Sequence, residues 1–251
     1  MIKVSRIMIP QLPTEKPRRL YVYTPRGYAS GEKRYPVVYM FDGHNVFYDS
    51  HATYGKSWGM KEYLERSKRE LILVAAECNP EGTRRLNEYA PWDFKATRLG
   101  EMKGEGRITM DWFVNELKPM IDSEYRTLPD RDHTMIAGSS FGGVMALYAA
   151  VEYNEFFSRA AALSASFWVS PGNMADMIRR SELRDPTAVY MDLGTAEVGP
   201  HTEAYSAMFN TAKLLAKKGA SVEARIVPDA EHNEASWEKR IPVFFDYLMG
   251  D

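Results

Sequence analysis

The segment Gly138-Ser139-Ser140-Phe141-Gly142 has the residue types and spacing of a serine nucleophile on a tight turn. The apolar run before it is typical of a buried strand, and the run after it is typical of a helix. Small flanking residues allow strand and helix to approach closely while Ser140 takes a strained backbone conformation. The pattern predicts that Ser140 attacks a carbonyl carbon and that the N–H of Phe141 faces the oxygen that becomes negative.

Ser140 needs a base, because a serine hydroxyl is a weak nucleophile. Of the five histidines, His232 is the candidate, since it follows the last predicted strand, as a chain order of serine, acid and histidine requires. His133 begins the strand that ends at Ser140 and should lie about 20 Å away. His201 is predicted to open a helix, and His51 has no partner signal.

A carboxylate near the end of the preceding strand could orient His232 and stabilise its charged form. Glu197 follows Gly194-Thr195, in a loop that can bend back toward the histidine, whereas Asp192 still belongs to the apolar strand pattern. Glu197 is therefore the favoured acid, with Asp192 and Asp229 as alternatives.

The loop Phe41-Asp42-Gly43-His44-Asn45 is expected to supply a second donor for the oxyanion. Gly43 permits a close backbone approach, so the amides from Gly43 to Asn45 are the candidates. The side chain of His44 or Asn45 could contribute as well.

The elements that must position these residues alternate between strands and helices. The most apolar runs indicate strands buried on both faces, as in parallel sheets covered by helices. The first two or three strands are expected to be antiparallel, because their connections are too short for a helical crossover. Strands are predicted at 2–9, 19–24, 36–41, 71–77, 133–138, 158–164, 187–193 and 222–228, and helices at 58–68, 109–123, 141–153, 201–218 and 234–248, with Pro119 opposing an unbroken second helix.

The fold class that follows is α/β, with a mostly parallel, doubly wound sheet of about eight strands and helices on both faces. A single domain is predicted over residues 1–251. Two irregular stretches, at about 79–106 and 164–186, are expected to cover the active-site end of the sheet. Aromatic side chains in them, Trp92 and Trp168 above all, are candidate substrate contacts.

Composition and charge argue against several classes of ligand. The 32 basic and 34 acidic residues give a net charge of −2 without a long block of one sign, which argues against a nucleic-acid partner. The only cysteine, Cys78, excludes an intramolecular disulfide, and the histidines lack metal-binding spacing, so no metal or cofactor is expected. The N-terminal charges and the short apolar runs predict neither a secretory signal nor a membrane span, so a cytoplasmic protein is expected.

Four motifs in the same chain order resemble a branch of the α/β-hydrolases that includes enterochelin, feruloyl and acetylxylan esterases, S-formylglutathione hydrolases and mycolyltransferases. They are Tyr39-Met-Phe-Asp-Gly-His-Asn-Val-Phe47, Gly138-Ser-Ser-Phe-Gly-Gly-Val-Met-Ala-Leu147, Leu193-Gly-Thr-Ala-Glu197 and His232-Asn-Glu-Ala-Ser-Trp237, within a likeness that spans about residues 17–249. The resemblance implies a triad of Ser140, Glu197 and His232, although many relatives carry Asp in place of the glutamate. It also implies an oxyanion hole made by Phe141 and the loop that contains Gly43 and His44.

Asn87-Glu-Tyr-Ala-Pro-Trp92 is similar to a segment that borders the active site in such esterases, which implies that Tyr89 and Trp92 lie beside the acyl or alcohol pocket. The expected activity is that of a serine carboxylesterase acting on a small-molecule or carbohydrate-linked ester, with feruloyl and other acyl esters as candidates. An acyltransferase or thioesterase with the same triad is the alternative, and a non-catalytic binding protein of the same fold is a further one.

Overall fold

The computed structural model describes residues 1–12, 14, 16–96, 100–199 and 202–250. An eight-stranded sheet crosses the described part of the chain, and a two-stranded hairpin lies apart from it. The strands are β1 (Ile2–Ile7), β2 (Arg18–Tyr23), β3 (Val37–Met40), β4 (Ile72–Ala76), β5 (Phe94–Ala96), β6 (Gly100–Met102), β7 (Thr134–Ser139), β8 (Arg159–Leu163), β9 (Ala188–Gly194) and β10 (Ser221–Val227).

The order of the large sheet is β1-β2-β4-β3-β7-β8-β9-β10, and β5 pairs with β6 in the hairpin. Strand β2 is antiparallel to both of its neighbours, and every other adjacent pair in the large sheet is parallel. The mostly parallel α/β sheet with an antiparallel start is therefore confirmed. The predicted strand ranges match the strands of the large sheet to within two residues at each end.

Nine α-helices are present in the described residues: α1 (Met60–Ser67), α2 (Arg84–Glu88), α3 (Gly106–Trp112), α4 (Lys118–Glu124), α5 (Phe141–Glu152), α6 (Pro171–Arg180), α7 (Thr195–Val198), α8 (Glu203–Lys217) and α9 (Glu234–Met249). A π-helical segment, Phe113–Leu117, joins α3 to α4. Pro119 lies just beyond this segment. A proline has no backbone N–H to donate to the preceding turn, and its ring crowds the carbonyl group there. The helix predicted over 109–123 therefore continues past Pro119, with a wide turn in front of it.

Helices cover both faces of the sheet, because the strand side chains alternate between two cores. On β3, Val37 and Tyr39 belong to the core that also contains apolar residues of α3, α4, α5, α6 and α8. Val38 and Met40 belong to the opposite core, which is closed by α1 and α9. This alternation explains why the central strands are apolar at every position.

The two stretches predicted as irregular contain short elements. The first holds α2 and the β5–β6 hairpin, and the second holds α6. His201, which was expected to open a helix, lies outside the described residues, and α8 begins at Glu203. No helix in the described part of the chain has both the length and the apolar character needed to cross a membrane.

Candidate active site

Ser140 occupies the turn between β7 and α5 in a conformation that is rare for a residue with a side chain. Its φ is 58° and its ψ is −123°, and such backbone strain persists only where the surroundings hold it. The N–H of Ser140 donates to the carbonyl of Leu163 at 3.0 Å, and the N–H of Ser166 donates to the carbonyl of Ser140 at 3.1 Å. These bonds from the end of β8 hold the elbow in place.

The glycines around Ser140 are required by close packing. A Cβ on Gly138 would lie 2.5 Å from the carbonyl oxygen of Gly142, so the strand and the helix touch backbone to backbone. A Cβ on Gly143 would lie 2.9 Å from the Cβ of Ala165. The sequence interpretation of these glycines, small flanks that let strand and helix approach, agrees with this packing.

His232 and Glu197 are joined by a short hydrogen bond. Nδ1 of His232 lies 2.6 Å from Oε2 of Glu197. The glutamate comes from α7, directly after β9, and the histidine comes from the loop between β10 and α9. The Glu197 side chain is 4% exposed and the His232 side chain is 45% exposed, so the carboxylate is buried while the imidazole reaches solvent. Trp237 packs its ring edge-on against the imidazole at 5.2 Å.

Other donors hold the second oxygen of Glu197. Its Oε1 accepts a hydrogen bond from Oγ of Ser164 at 2.8 Å and another from the backbone N–H of Gly194. Burial opposes ionisation of this carboxyl, but the bonds from His232, Gly194 and Ser164 outweigh it and lower the pKa of Glu197. The carboxylate is thus held charged against the histidine.

The alternative acids lie elsewhere. Asp192 is fully buried, and its Oδ1 lies 2.6 Å from an Nη of Arg240. Its Oδ2 accepts a hydrogen bond from the hydroxyl of Tyr190 at 2.8 Å. Asp229 is exposed, and its N–H donates to the hydroxyl of Thr195. Of the three carboxylates considered from sequence, the structure brings Glu197 to His232.

Ser140 and His232 share a cavity of about 310 Å³. Polar side chains make up most of its wall, so a substrate group placed there meets hydrogen-bonding partners. The wall consists of Asp42, His44, Asn45, Thr53, Tyr54, Arg85, Ser139, Ser140, His232, Glu234 and Trp237.

His232 also lines a second cavity, of about 600 Å³. Its wall is largely apolar, so the histidine stands between a polar and an apolar space. The wall consists of Ser164, Ala165, Ser166, Phe167, Trp168, Pro171, Leu193, Glu197, Val198, Glu203, Ala204, Ala207 and His232.

The predicted oxyanion loop follows β3 as a 3₁₀ turn over Gly43–Asn45. A Cβ on Gly43 would lie 2.5 Å from the carbonyl oxygen of Ala75, so only glycine fits against β4. The ring of His44 is tied to Thr53, with Nε2 3.0 Å from Oγ1. On the opposite side, Phe141 is the first residue of α5, and the first N–H groups of a helix have no partner within it.

Asp42 and Arg85 brace this loop. The guanidinium of Arg85 donates to both carboxylate oxygens of Asp42 at 2.7 Å. Burial opposes the negative charge on Asp42, but Arg85 outweighs it and lowers the pKa of the carboxyl. Asp42 takes a left-handed backbone conformation with φ of 55°, so the ion pair pins a turn that is otherwise costly for an aspartate.

The three aromatic residues predicted to contact substrate, Tyr89, Trp92 and Trp168, lie in different surroundings. Trp168 lines the apolar cavity and is 57% exposed. Tyr89 is 3% exposed, and its hydroxyl accepts the N–H of Asp42 at 3.1 Å. Trp92 packs its ring against Tyr148 at 5.7 Å. Tyr89 and Trp92 line neither of these two cavities. The ring of Tyr89 is packed into the core, and its hydroxyl supports the loop after β3 from behind.

One cluster has donor atoms suited to a metal ion. The donor atoms of Asp42, His44 and Cys78 all lie within 4.8 Å of one another. Asp42 is already bound by Arg85, and burial, followed by the charge of Asp42, raises the pKa of the Cys78 thiol. A neutral thiol and an adjacent guanidinium oppose binding of a divalent cation, so these residues do not fit a metal site.

Sequence reasoning missed three polar residues of this region, namely Ser164, Arg85 and Glu234. Ser164 directly follows the buried strand β8, and a polar residue at the carboxyl end of a parallel strand is a usable signal. Arg85 and Glu234 carry no such signal, because each lies in a segment of mixed charge.

Comparison with known proteins identifies the family. The family described as "Putative esterase" matches residues 13–247. The chain belongs to this esterase family. It is therefore a carboxylic ester hydrolase, as the sequence led us to expect.

The sequence identity to individual proteins is modest. The uncharacterized protein YbbA of Bacillus subtilis (strain 168) is 27% identical over 183 residues, which cover 72% of this chain and 69% of that protein. An IroE-like serine hydrolase from Shewanella oneidensis has 22% identity and a TM-score of 0.78, with 100% of this esterase and 79% of that chain covered. The enterobactin esterase FES from Shigella flexneri has 19% identity and a TM-score of 0.76, with 100% and 59% covered. These structures share the fold of the esterase.

Proposed function

We propose that this esterase is a serine carboxylesterase that works through an acyl-enzyme intermediate. The observation that carries the proposal is the position of His232. Its Nδ1 is 2.6 Å from Glu197, and its ring lines the same cavity as the strained Ser140. A nucleophile, a base and a group that orients the base are the parts that acyl transfer by serine requires.

Each step of ester hydrolysis can be assigned to a residue of this site. Oγ of Ser140 attacks the ester carbonyl and gives its proton to Nε2 of His232, while Glu197 holds the ring and stabilises the imidazolium. The oxyanion lies between the N–H of Phe141 and the loop from Gly43 to Asn45. The carbon–oxygen bond of the ester breaks, and the alcohol leaves with the proton from His232. A water molecule, activated by the neutral histidine, then hydrolyses the acyl-enzyme.

The two cavities indicate the kind of ester. The cavity that Trp168 lines is largely apolar and suits a hydrocarbon or aromatic group, whereas the cavity beside Ser140 is lined mostly by polar residues. We therefore propose an ester with one apolar half and one polar half, and acyl or feruloyl esters of a carbohydrate meet this description. A ferulic acid esterase is among the structures that share the fold, with 18% identity and a TM-score of 0.70.

Labelling with a fluorophosphonate tests the mechanism without knowledge of the substrate. We expect one adduct by intact mass on the wild type and none on Ser140→Ala. Ser139→Ala is the matched control, because it removes the neighbouring hydroxyl of the same motif, and it should still be labelled. Turnover of p-nitrophenyl acetate should fall by roughly 10⁴-fold or more in Ser140→Ala. An adduct on Ser140→Ala would contradict the proposal, and so would a folded wild type that forms no adduct.

A further inference from the structure

Glu234 is a buried carboxyl group inside the polar cavity that the proposed mechanism does not use. It is the first residue of α9, two positions after His232, and it lines the cavity that contains Ser140. Only 4% of the residue is exposed. A carboxyl buried to this degree normally receives hydrogen bonds from the protein.

No side chain in the described part of the chain donates a hydrogen bond to Glu234; its partner is its own backbone N–H. This differs from the neighbouring buried acids, since Glu197 is bound by His232 and Ser164, and Asp42 is bound by Arg85. Burial, together with the charge of Asp42, raises the pKa of Glu234. The carboxyl lines the cavity without a donor from another side chain, so a ligand with a donor can form a hydrogen bond to it there.

The charges around the cavity limit what that donor can be. Asp42 and Arg85 neutralise each other, so the unpaired charge of the wall is that of Glu234, which would repel a carboxylate or a phosphate. A hydroxyl group is not repelled, and unlike an ammonium group it can accept hydrogen bonds as well as donate one. Asn45 and Tyr54, which also line the wall, offer such a hydroxyl both donors and acceptors.

We infer that Glu234 is a specificity residue that accepts a hydrogen bond from a substrate hydroxyl close to the ester bond. The inference rests on the proposed function, because it places the substrate beside Ser140 and His232. It narrows the substrate class to neutral, hydroxyl-bearing esters, with the hydroxyl in the polar cavity and the apolar group in the cavity that Trp168 lines. Glu234 has no part in bond breaking; it selects which ester is held there.

Matched pairs of esters test this role. Propyl butyrate and 2,3-dihydroxypropyl butyrate differ by hydroxyls on the alcohol, whereas ethyl butyrate and ethyl 3-hydroxybutyrate differ by a hydroxyl on the acyl group. We expect the wild type to have a kcat/KM at least tenfold higher for the hydroxylated member of one pair. Glu234→Ala should lower the ratio of kcat/KM for the hydroxylated ester to that for the plain ester about tenfold, because a lost hydrogen bond to a charged group has an effect of this order. Its kcat/KM for the plain ester should change by less than threefold.

Glu238→Ala is the control, because it removes a carboxylate one turn further along α9, where Glu238 pairs with Lys56 outside the cavity. It should leave the preference unchanged. Glu234→Gln keeps the size and one acceptor oxygen and should retain part of the preference. Unfolding midpoints of all variants check that each protein is folded.

The outcomes separate the two proposals. Labelling of Ser140 and hydrolysis of the plain esters support the esterase mechanism. With that result, the role of Glu234 is wrong if the substrate hydroxyl does not change kcat/KM. It is also wrong if Glu234→Ala lowers kcat/KM equally for both esters of a pair. If wild type shows neither an adduct nor turnover, both proposals are overturned.

Discussion

Oγ of Ser164 lies 2.8 Å from Oε1 of Glu197 and is the group that links this carboxylate to the interior. The same oxygen receives Nε1–H of Trp237 at 2.9 Å and an Nη–H of Arg240 at 3.2 Å. Both of these partners can only donate, so the single hydroxyl proton of Ser164 must point toward Glu197. The histidine's partner is therefore oriented from behind by a fixed donor.

Replacement of Ser164 by alanine should lower kcat for a simple ester by about fivefold to tenfold with little change in KM, because Glu197 loses one of the bonds that orient it. Stability should fall by about 1 to 3 kcal/mol, since Trp237 and Arg240 lose a buried acceptor. Steady-state kinetics and urea unfolding measure these effects. Ser123→Ala, at an exposed serine that bonds within α4, is the control. An unchanged kcat in folded Ser164→Ala would contradict the orienting role.

Glycine is required at position 194, where the loops that carry Glu197 and His232 meet. A Cβ there would lie 2.0 Å from the carbonyl oxygen of Ala230. Gly194→Ala should therefore move one loop away from the other and reduce kcat/KM by more than about 100-fold. Gly172→Ala, where a Cβ has open space, should retain activity. Equal activities of the two variants would show that the loops tolerate the displacement.

Loss of Arg85 should destabilise the protein, because it would leave the charge of Asp42 buried and unpaired. Arg85→Met should destabilise the protein by about 3 kcal/mol, because Asp42 is then an unpaired buried carboxylate. The double variant Asp42→Asn, Arg85→Met should recover much of this loss, since no charge remains. Denaturant unfolding of the single and double variants gives the comparison. A double variant that is less stable than Arg85→Met alone would contradict the electrostatic explanation.

The lowered pKa of Glu197 predicts a pH-dependent contribution to stability. A carboxyl whose pKa is lower in the folded protein than in the unfolded chain stabilises the fold above its unfolded value, here 4.5, and loses this contribution as the pH falls through the folded value. Glu197→Gln should thus be less stable than wild type at pH 7, by about 1 kcal/mol. Urea unfolding at pH 7 and at about pH 3.5 should show the difference shrinking in acid. A difference that stays constant or widens would contradict the assignment.

Local patterns were enough to predict much of the sheet and the elbow. The glycines around Ser140 and the apolar runs on either side of it lie within about a dozen residues, and periodicity acts over such distances. The hairpin β5–β6 escaped prediction because its strands are only three residues each. Runs that short show no alternation from which a strand can be recognised.

The placement of Tyr89 shows where local patterns stop. The resemblance of its segment to one that borders the active site of esterases implies a place beside the substrate pocket, yet the ring is buried in the core and its hydroxyl accepts the N–H of Asp42. Burial depends on which elements pack above a residue, and segment composition does not encode that. The same holds for Trp92 and Trp168, which differ in placement although both lie in irregular stretches.

The sequence by itself determined the α/β sheet and the serine at the turn, because these follow from residue types near one another in the chain. Only the tertiary structure decided that Glu197, and not Asp192, faces His232, and that Ser164 stands behind it. The two bonds concerned join residues 35 and 33 positions apart. Such contacts are set by how strands and helices pack, which no local periodicity contains.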